Sequence, residues 1–88
     1  MGETIVIKGR YYYQIESLRQ RDYELADAMG RKLNHKVSIP IHNNITQQHK
    51  VMIHESGTPV VYDIITIDTG ARRYLYLERV ETDANITN

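Results

Sequence analysis

The chain lacks cysteine, tryptophan and phenylalanine among its 88 residues. Without cysteine it has no disulfide framework and no thiolate metal ligands, which disfavours a small secreted scaffold. Eleven basic and eleven acidic residues cancel, so the net charge does not indicate attraction to nucleic acid or to an anionic membrane. No apolar run is long enough to span a membrane. No apolar signal region opens the sequence, and we expect a cytoplasmic protein.

What the sequence does contain is alternating Ile, Val, Leu and Tyr, within a hydrophobic content of 41%. Alternation of apolar and polar residues predicts short, half-buried strands. The predicted strands are residues 4–8, 10–16, 36–42, 50–55, 60–68 and 73–80. With one helix inserted after the second strand, they predict a mainly β fold: a small antiparallel β-barrel or sandwich of five to six strands. We expect one domain over residues 1–81 and a disordered C-terminal tail over residues 82–88.

The only stretch with helical periodicity is "SLRQRDYELADAMG", which ends at Gly30. Ser17 and Gln20 have the spacing of a capping box, and glycine is common just after a helix. Four apolar side chains are predicted to form the buried stripe of this helix: Leu18, Leu25, Ala26 and Met29.

Three of the four histidines lie within "IPIHNNITQQHKVMIH", residues 39–54. If this stretch were a hairpin, Ile41 would pair with Val51 and Ile39 with Ile53, which keeps the apolar positions on one face. His42 and His54 would then be roughly 13 Å apart. One metal ion could not bind both, because its ligand nitrogens lie about 2 Å away. We therefore predict a hairpin with solvated histidines, no metal site, and Ile45 of the loop packed on the core.

The sequence has no pattern of a catalytic or cofactor site. No serine lies in a G-x-S-x-G elbow, and Gly57 and Gly70 are single turn glycines rather than part of a phosphate-binding loop. Asp63 and Asp68 are five residues apart on one predicted strand and so face opposite sides. They are therefore not expected to act as a carboxylate pair on one substrate. We predict a protein that is not an enzyme and has no cofactor.

The seven tyrosines are the other distinctive feature. Outward tyrosines near arginines are typical of protein interfaces and also of stacking surfaces for single-stranded nucleic acid. The zero net charge favours the interface. The predicted interface residues are Tyr11, Tyr13, Tyr74 and Tyr76.

The order of motifs over residues 11–80 resembles the bacteriophage head–tail joining family, which includes head-closure (stopper) and adaptor proteins. The resemblance is carried by a series of short elements: Asp22-Tyr23 with Ala26, the strand around Ile39, Ile45 in a polar loop, Val51–Ile53 before Gly57, and Tyr62-Asp63-Ile64. The N-terminal "MGETIVIKG" departs from the longer N-terminal region of the family, and "IPIH" occupies a place where the family often has a basic residue.

The resemblance implies a structural virion protein, made in the host cytoplasm, that joins the DNA-filled head to the tail. Copies would form a dodecameric ring beneath the portal and adaptor proteins, next to the tail completion protein, although the isolated chain could be a monomer. Double-stranded DNA would pass through the ring without sequence specificity. In stopper members the segment after the helix borders and closes the channel. By position that segment is Met29, Gly30, Arg31, Lys32, Leu33, Asn34, His35 and Lys36.

The alternative function that the sequence leaves open is a small β-barrel module that binds single-stranded nucleic acid. Its binding faces would combine the tyrosines with nearby arginines, because bases stack on aromatic rings while basic groups contact the backbone.

Overall fold

The fold is described from a computed structural model, which covers residues 2–6 and 9–80, with side chains for residues 11–54 and 56–80. The described chain forms six strands and one helix. Their bounds are β1 Gly2–Val6, β2 Gly9–Glu16, α1 Gln20–Ala28, β3 His35–Ile39, β4 Lys50–Glu55, β5 Thr58–Thr69 and β6 Arg73–Arg79. The predicted tail, residues 82–88, lies outside the described residues.

All strand pairs are antiparallel, and the sheet closes on itself in the order β1-β2-β3-β6-β5-β4. The predicted mainly β fold, a small antiparallel barrel with one inserted helix, is therefore confirmed. Closure removes most of the unpaired strand edges that would otherwise attract other chains.

The strands β3 and β4 do not form the hairpin that was predicted for residues 39–54. Ile39 pairs with Arg73 of β6, whereas Ile53 pairs with Val60 of β5. Strand β3 ends at Ile39, and the exposed Pro40 follows it. Alternation identifies the inward face of a strand but not its neighbour, because the same parity fits several partners.

The barrel interior holds the main hydrophobic core, as the alternation predicts. Its buried residues come from four strands and one loop: Val37, Ile39, Ile45, Val51, Ile53, Val60, Tyr62, Ile64, Leu75 and Leu77. The prediction that Ile45 packs on the core is confirmed, since only 1% of this residue is exposed. Asn43 holds the loop in place, because its Oδ1 accepts the backbone N–H of Ile45 at 3.0 Å.

A second, smaller cluster lies on the outer face of the barrel, beneath α1. It consists of Ala26, Leu33, Ile65 and Tyr76, with Leu18 and Tyr74 packed against it. The predicted helix stripe is only partly correct: Leu25 and Met29 are 42% and 45% exposed, whereas Asp22 is buried. The helix also begins later than predicted, at Gln20, so that Arg19 rather than Ser17 is the N-cap residue.

An irregularity in β5 allows this strand to serve both clusters. Ile64 pairs with Leu77 and Thr66 with Tyr76, so Ile65 is an extra residue in the ladder. Such a β-bulge shifts the alternation by one position. As a result Ile64 and Ile67 both pack on the barrel core, while Ile65 packs beneath the helix.

The turn between β4 and β5 consists of Ser56 and Gly57, with φ of 52° and 82°. Because Glu55 pairs with Thr58, this is a two-residue hairpin loop, and positive φ at both central positions is characteristic of a type I′ turn. The tight turn predicted from "SGTP" is confirmed. Serine is a poor residue for this conformation, which asparagine and glycine tolerate better.

We expect Ser56→Asn to stabilise the protein by about 0.5 kcal/mol, which corresponds to a rise in Tm of roughly 2–4 °C. Gly57→Ala is the matched variant at the neighbouring turn position, and it is expected to destabilise the protein. A Cβ at Gly57 would meet nothing within 4 Å, so its cost of about 1 kcal/mol comes from the positive φ alone. Thermal unfolding followed by circular dichroism measures both, and an equal Tm for the two variants would contradict this account of the turn.

Candidate functional site

Helix α1 is fixed to the barrel by a buried carboxylate, which belongs to Asp22. Oδ2 of Asp22 accepts the backbone N–H of Arg19 at 2.9 Å and lies 3.4 Å from Nζ of Lys36 on β3. Oδ1 accepts the hydroxyl of Tyr76 on β6 at 3.4 Å. We call Asp22, Lys36 and Tyr76 the anchor cluster. A charge with only 3% of its residue exposed is tolerated here because it is paired and hydrogen-bonded.

The anchor cluster shifts the ionisation of two of its members. Burial alone would raise the pKa of Asp22, but the backbone N–H of Arg19 and the ammonium of Lys36 outweigh burial and hold that pKa below its usual value. Burial, together with the negative charges of Asp22 and Asp68, raises the pKa of the Tyr76 hydroxyl. At neutral pH, Asp22 is therefore charged and Tyr76 is a neutral donor.

A polar cleft of about 320 Å³ opens beside the anchor cluster. Its walls come from the end of β2, the start of α1 and the outer faces of β3, β5 and β6. The lining residues are Glu16, Ser17, Arg19, Arg21, Lys36, Asp68, Tyr74 and Tyr76. Nζ of Lys36 lies 5.6 Å and 5.3 Å from the ring centroids of Tyr74 and Tyr76, close enough for cation–π attraction.

The wall of the cleft next to β3 is held by a chain of polar contacts. The Ser38 hydroxyl, fully buried, donates to Oε2 of Glu16 at 2.6 Å. Arg72 donates from Nε to that hydroxyl at 2.8 Å and from Nη2 to the Ser38 carbonyl at 3.0 Å. These bonds fix the Glu16 carboxylate against the barrel.

The segment predicted to border a channel, Met29–Lys36, is attached along much of its length. Leu33 is buried, and Asn34 donates its backbone N–H to the Leu77 carbonyl at 2.8 Å. Arg79 in turn donates its backbone N–H to Oδ1 of Asn34 at 2.7 Å. Met29, Gly30 and Lys32 are exposed. The structure therefore shows a braced connector that presents its first residues to solvent.

Glu78 is the main polar anchor of this segment. Its Oε1 accepts Nε of Arg31, and its Oε2 accepts the backbone N–H of Lys32 at 3.0 Å. Nη2 of Arg31 also lies 3.7 Å from Oδ2 of Asp63, which pairs with Lys50 on the neighbouring strand. The contacts from Arg31 and Lys32 lower the pKa of Glu78.

The bulge in β5 also changes the expected placement of Asp63 and Asp68. Both face outward rather than to opposite sides, because the alternation shifts between them. Asp63 belongs to the ion pairs with Arg31 and Lys50, whereas Asp68 lines the polar cleft. Five residues of strand separate them by roughly 16 Å, so they still do not form a pair on one substrate.

The predicted interface tyrosines occupy three different environments. Tyr11 and Tyr13 are partly buried and pack against the barrel core. Tyr74 packs against the cluster beneath the helix, and Tyr76 is only 6% exposed. The expectation that Tyr76 faces solvent is wrong, because α1 covers this part of the outer face. The exposed tyrosine of β2 is Tyr12, with 69% of its surface accessible.

The histidines do not come together. His42 and His54 are exposed, and Nδ1 of His49 accepts the backbone N–H of Thr46 at 2.8 Å. His35 contacts the ring of Tyr62 edge-on, with centroids 5.3 Å apart. Within residues 2–6 and 9–80, no three His, Asp or Glu groups are arranged to hold a metal ion.

Six large hydrophobic residues of the described chain are notably exposed. They lie on β2, on α1 and after β3: Tyr12, Ile15, Tyr23, Leu25, Met29 and Ile41. Leu25 and Met29 are one helical turn apart, at one margin of the stripe that contains Asp22 and Ala26. The sequence-based prediction was wrong for three of them: it assigned Leu25 and Met29 to the buried stripe of the helix and Ile41 to the apolar face of a hairpin.

The anchor cluster and the cleft were also missed from the sequence. A signal existed for Asp22, since it lies one turn before Ala26 and so interrupts an apolar stripe with a charge. No comparable signal marks Lys36 or Tyr76 as its partners, because both come from strands remote in sequence.

Comparisons with models of protein families, with curated proteins and with solved structures give no match for this chain. The resemblance to head–tail joining proteins therefore stays a prediction. In the part of the chain that the structure describes, no helix combines the length and hydropathy required to cross a membrane.

We expect Asp22→Asn to destabilise the protein by about 2 kcal/mol at pH 7, because it leaves the Lys36 charge without its partner. Asp27→Asn, an exposed position on the same helix, is the control and should change stability by less than about 0.5 kcal/mol. Because the folded-state pKa of Asp22 is lowered, its stabilisation is present above the unfolded pKa of about 4. It is lost as pH falls through the folded-state value. Urea unfolding of the wild-type chain and both variants from pH 7 to pH 3 measures this loss. If the difference in unfolding free energy between the wild-type chain and Asp22→Asn did not change with pH, the account would be contradicted.

Replacing Glu78 by alanine should loosen the segment at residues 29–36. Without the acceptor on Glu78, amide hydrogen exchange at Lys32 should accelerate by about tenfold. Glu24→Ala, which removes an exposed carboxylate of α1, should leave exchange at Lys32 unchanged. Equal protection of Lys32 in all three proteins would show that the segment is held by Leu33 and Asn34 alone.

Proposed function

We propose that the chain is a non-enzymatic structural subunit of the joint between the head and the tail of a tailed phage or prophage. Its copies would form a ring around the DNA exit channel, in contact with the portal or adaptor protein above and the tail completion protein below. It would reside in the virion, after assembly in the host cytoplasm.

The observation that carries the proposal is that the motif residues behind the resemblance occupy structurally specific positions. Ala26 lies on the helix and is buried against the barrel, Ile45 and Tyr62 are buried in the barrel, and Gly57 has a positive φ. Asp22 is the buried carboxylate of the anchor cluster. Motif residues of a shared architecture are expected at buried or conformationally restricted positions, and this agreement supports the resemblance.

Assembly into a ring needs two different contact surfaces on each subunit, because head-to-tail contacts are heterologous. The exposed apolar residues lie on different elements, with Tyr12 and Ile15 on β2 and Tyr23 and Leu25 on α1. We propose these four as the ring contacts. Tyr11, Tyr13, Tyr74 and Tyr76, the residues expected from sequence, act mainly in packing within the subunit.

The charges of the segment at residues 29–36 suit a channel through which DNA must slide. Arg31 is paired with Glu78 and Asp63. Cations that are already neutralised attract phosphates weakly, and each strong phosphate contact would add affinity that opposes movement. The proposal keeps this segment next to the channel, with Met29, Gly30 and Lys32 as its exposed part.

The alternative, a module for single-stranded nucleic acid, finds less support in the geometry. Bases would have to stack on open aromatic faces, but Tyr76 is buried and Tyr74 packs beneath the helix. The two exposed tyrosines of the described residues, Tyr12 and Tyr23, lie on β2 and α1, and single rings on separate elements do not make an extended stacking surface.

Deletion of the gene in the phage genome that encodes the chain tests the proposal. Electron microscopy of the lysate should then show DNA-filled heads and separate tails, and expression of the wild-type chain should restore joined particles. Tailed, infectious virions in the absence of the chain would overturn the proposal.

Complementation with Leu25→Ser should restore joining poorly, since this change removes an exposed apolar contact while the isolated subunit keeps its stability. Glu24→Ser, the adjacent exposed position, serves as the control and should complement fully. Full complementation by both would show that this face of α1 is not a ring contact.

A further inference from the structure

We propose that the polar cleft between α1 and the barrel is a binding site for a phosphate group, either free or in a nucleic-acid backbone. The site is separate from the proposed ring contacts and from the exposed residues Met29, Gly30 and Lys32, and it shares Lys36 with the end of the segment at residues 29–36. It rests on the arrangement of charges around a cleft of about 320 Å³.

Three cationic side chains converge on this cleft from two directions. Arg19 and Arg21 enter from the start of α1, and Lys36 enters from β3 on the opposite wall. Guanidinium groups match the geometry of phosphate oxygens and can donate two hydrogen bonds at once. Ser17 adds a hydroxyl donor at the same place.

The ammonium of Lys36 is held in position before any ligand arrives. Asp22 and the rings of Tyr74 and Tyr76 surround it. An ammonium has three N–H donors, so the single contact with Asp22 leaves donors for an anion. A cation that is already fixed loses little conformational freedom on binding, which favours a ligand over water.

The carboxylates of the cleft decide whether the cations are available. Glu16 accepts the Ser38 hydroxyl and is therefore held against the wall. Asp68 is exposed on β5 and faces the cleft. Three cations and these two carboxylates line the cleft, but Lys36 is already paired with Asp22. Arg19 and Arg21 are therefore the main cations available to an anion, and Asp68 is the group that opposes an anion most directly. Removing the charge of Asp68 is therefore expected to strengthen anion binding.

The volume of the cleft and its tyrosines also constrain the ligand. A space of about 320 Å³ admits a phosphate with part of the molecule that carries it. Tyr74, half-buried in the wall, offers an apolar surface to a sugar or other carbon group next to the phosphate. Both inorganic phosphate and the backbone of a short duplex therefore serve as probes.

The test is a titration followed by amide NMR signals, first with inorganic phosphate and then with a short DNA duplex. Sodium chloride at equal ionic strength is the reference, because it screens charges without offering a phosphate. Saturable shifts at Ser17, Arg19 and Arg21 are expected. Shifts with both probes indicate recognition of the phosphate group itself, shifts with the duplex alone indicate the backbone, and shifts with phosphate alone indicate a small ligand.

Two variants with opposite expected effects make the test specific. Arg19→Gln with Arg21→Gln should abolish the saturable phosphate shifts and reduce the salt dependence of duplex binding by about two charges. Asp68→Asn should strengthen binding by roughly threefold, because it removes a negative charge that faces the ligand.

The matched control is Lys32→Gln with Arg79→Gln, which removes two exposed cations outside the cleft. It should bind like the wild-type chain. Absence of saturable shifts with either probe, or equal losses in the cleft variant and the control, would overturn the site. These results do not depend on whether the chain joins heads to tails, which the gene deletion tests separately.

Discussion

A single buried carboxylate determines how the helix sits on the barrel. Asp22 has no apolar contribution to make, yet it lies at the centre of the helix–barrel contact. The backbone N–H of Arg19, the N-cap of the same helix, satisfies it locally, while the ammonium of Lys36 and the hydroxyl of Tyr76 reach it from β3 and β6. Because an unpaired buried charge is so costly, the position of the helix that provides both contacts with the barrel is strongly favoured. The polar cleft and the course of residues 29–36 follow from that position.

The barrel interior is stabilised by apolar packing, whereas the outer layer on the helix side also depends on polar interactions. The interior is filled by aliphatic side chains and Tyr62, whereas the helix side combines a small apolar cluster with ion pairs and hydrogen bonds. Apolar packing inside a closed barrel is largely independent of salt and pH, but the outer layer depends on charge. The proposed phosphate-binding cleft and the segment at residues 29–36 both lie in this charged outer layer.

Local patterns in the sequence predicted the elements better than their neighbours. The strands predicted from alternation at residues 50–55 and 73–80 correspond to the observed Lys50–Glu55 and Arg73–Arg79, and Ile45 was recognised as a core residue in a polar loop. The strand that pairs with β3 was not predicted correctly, because the alternation of apolar residues specifies which face of a strand is buried but not which strand lies beside it. The predicted strands at residues 36–42 and 50–55 leave seven residues between them (43–49), which already exceeds the usual hairpin loop and could have corrected the register. The cleft could not be predicted, since its residues converge only after the barrel closes.

The bulge at Ile65 has a consequence for how the molecule folds. Strand β5 delivers Ile64 and Ile67 to the interior and Ile65 to the helix, so the two hydrophobic clusters share one strand whose register satisfies both. Loss of either cluster would remove part of the force that fixes this register. The helix and the barrel are therefore coupled into one cooperative unit, and the chain has little scope for a stable intermediate in which the barrel is complete and the helix is detached.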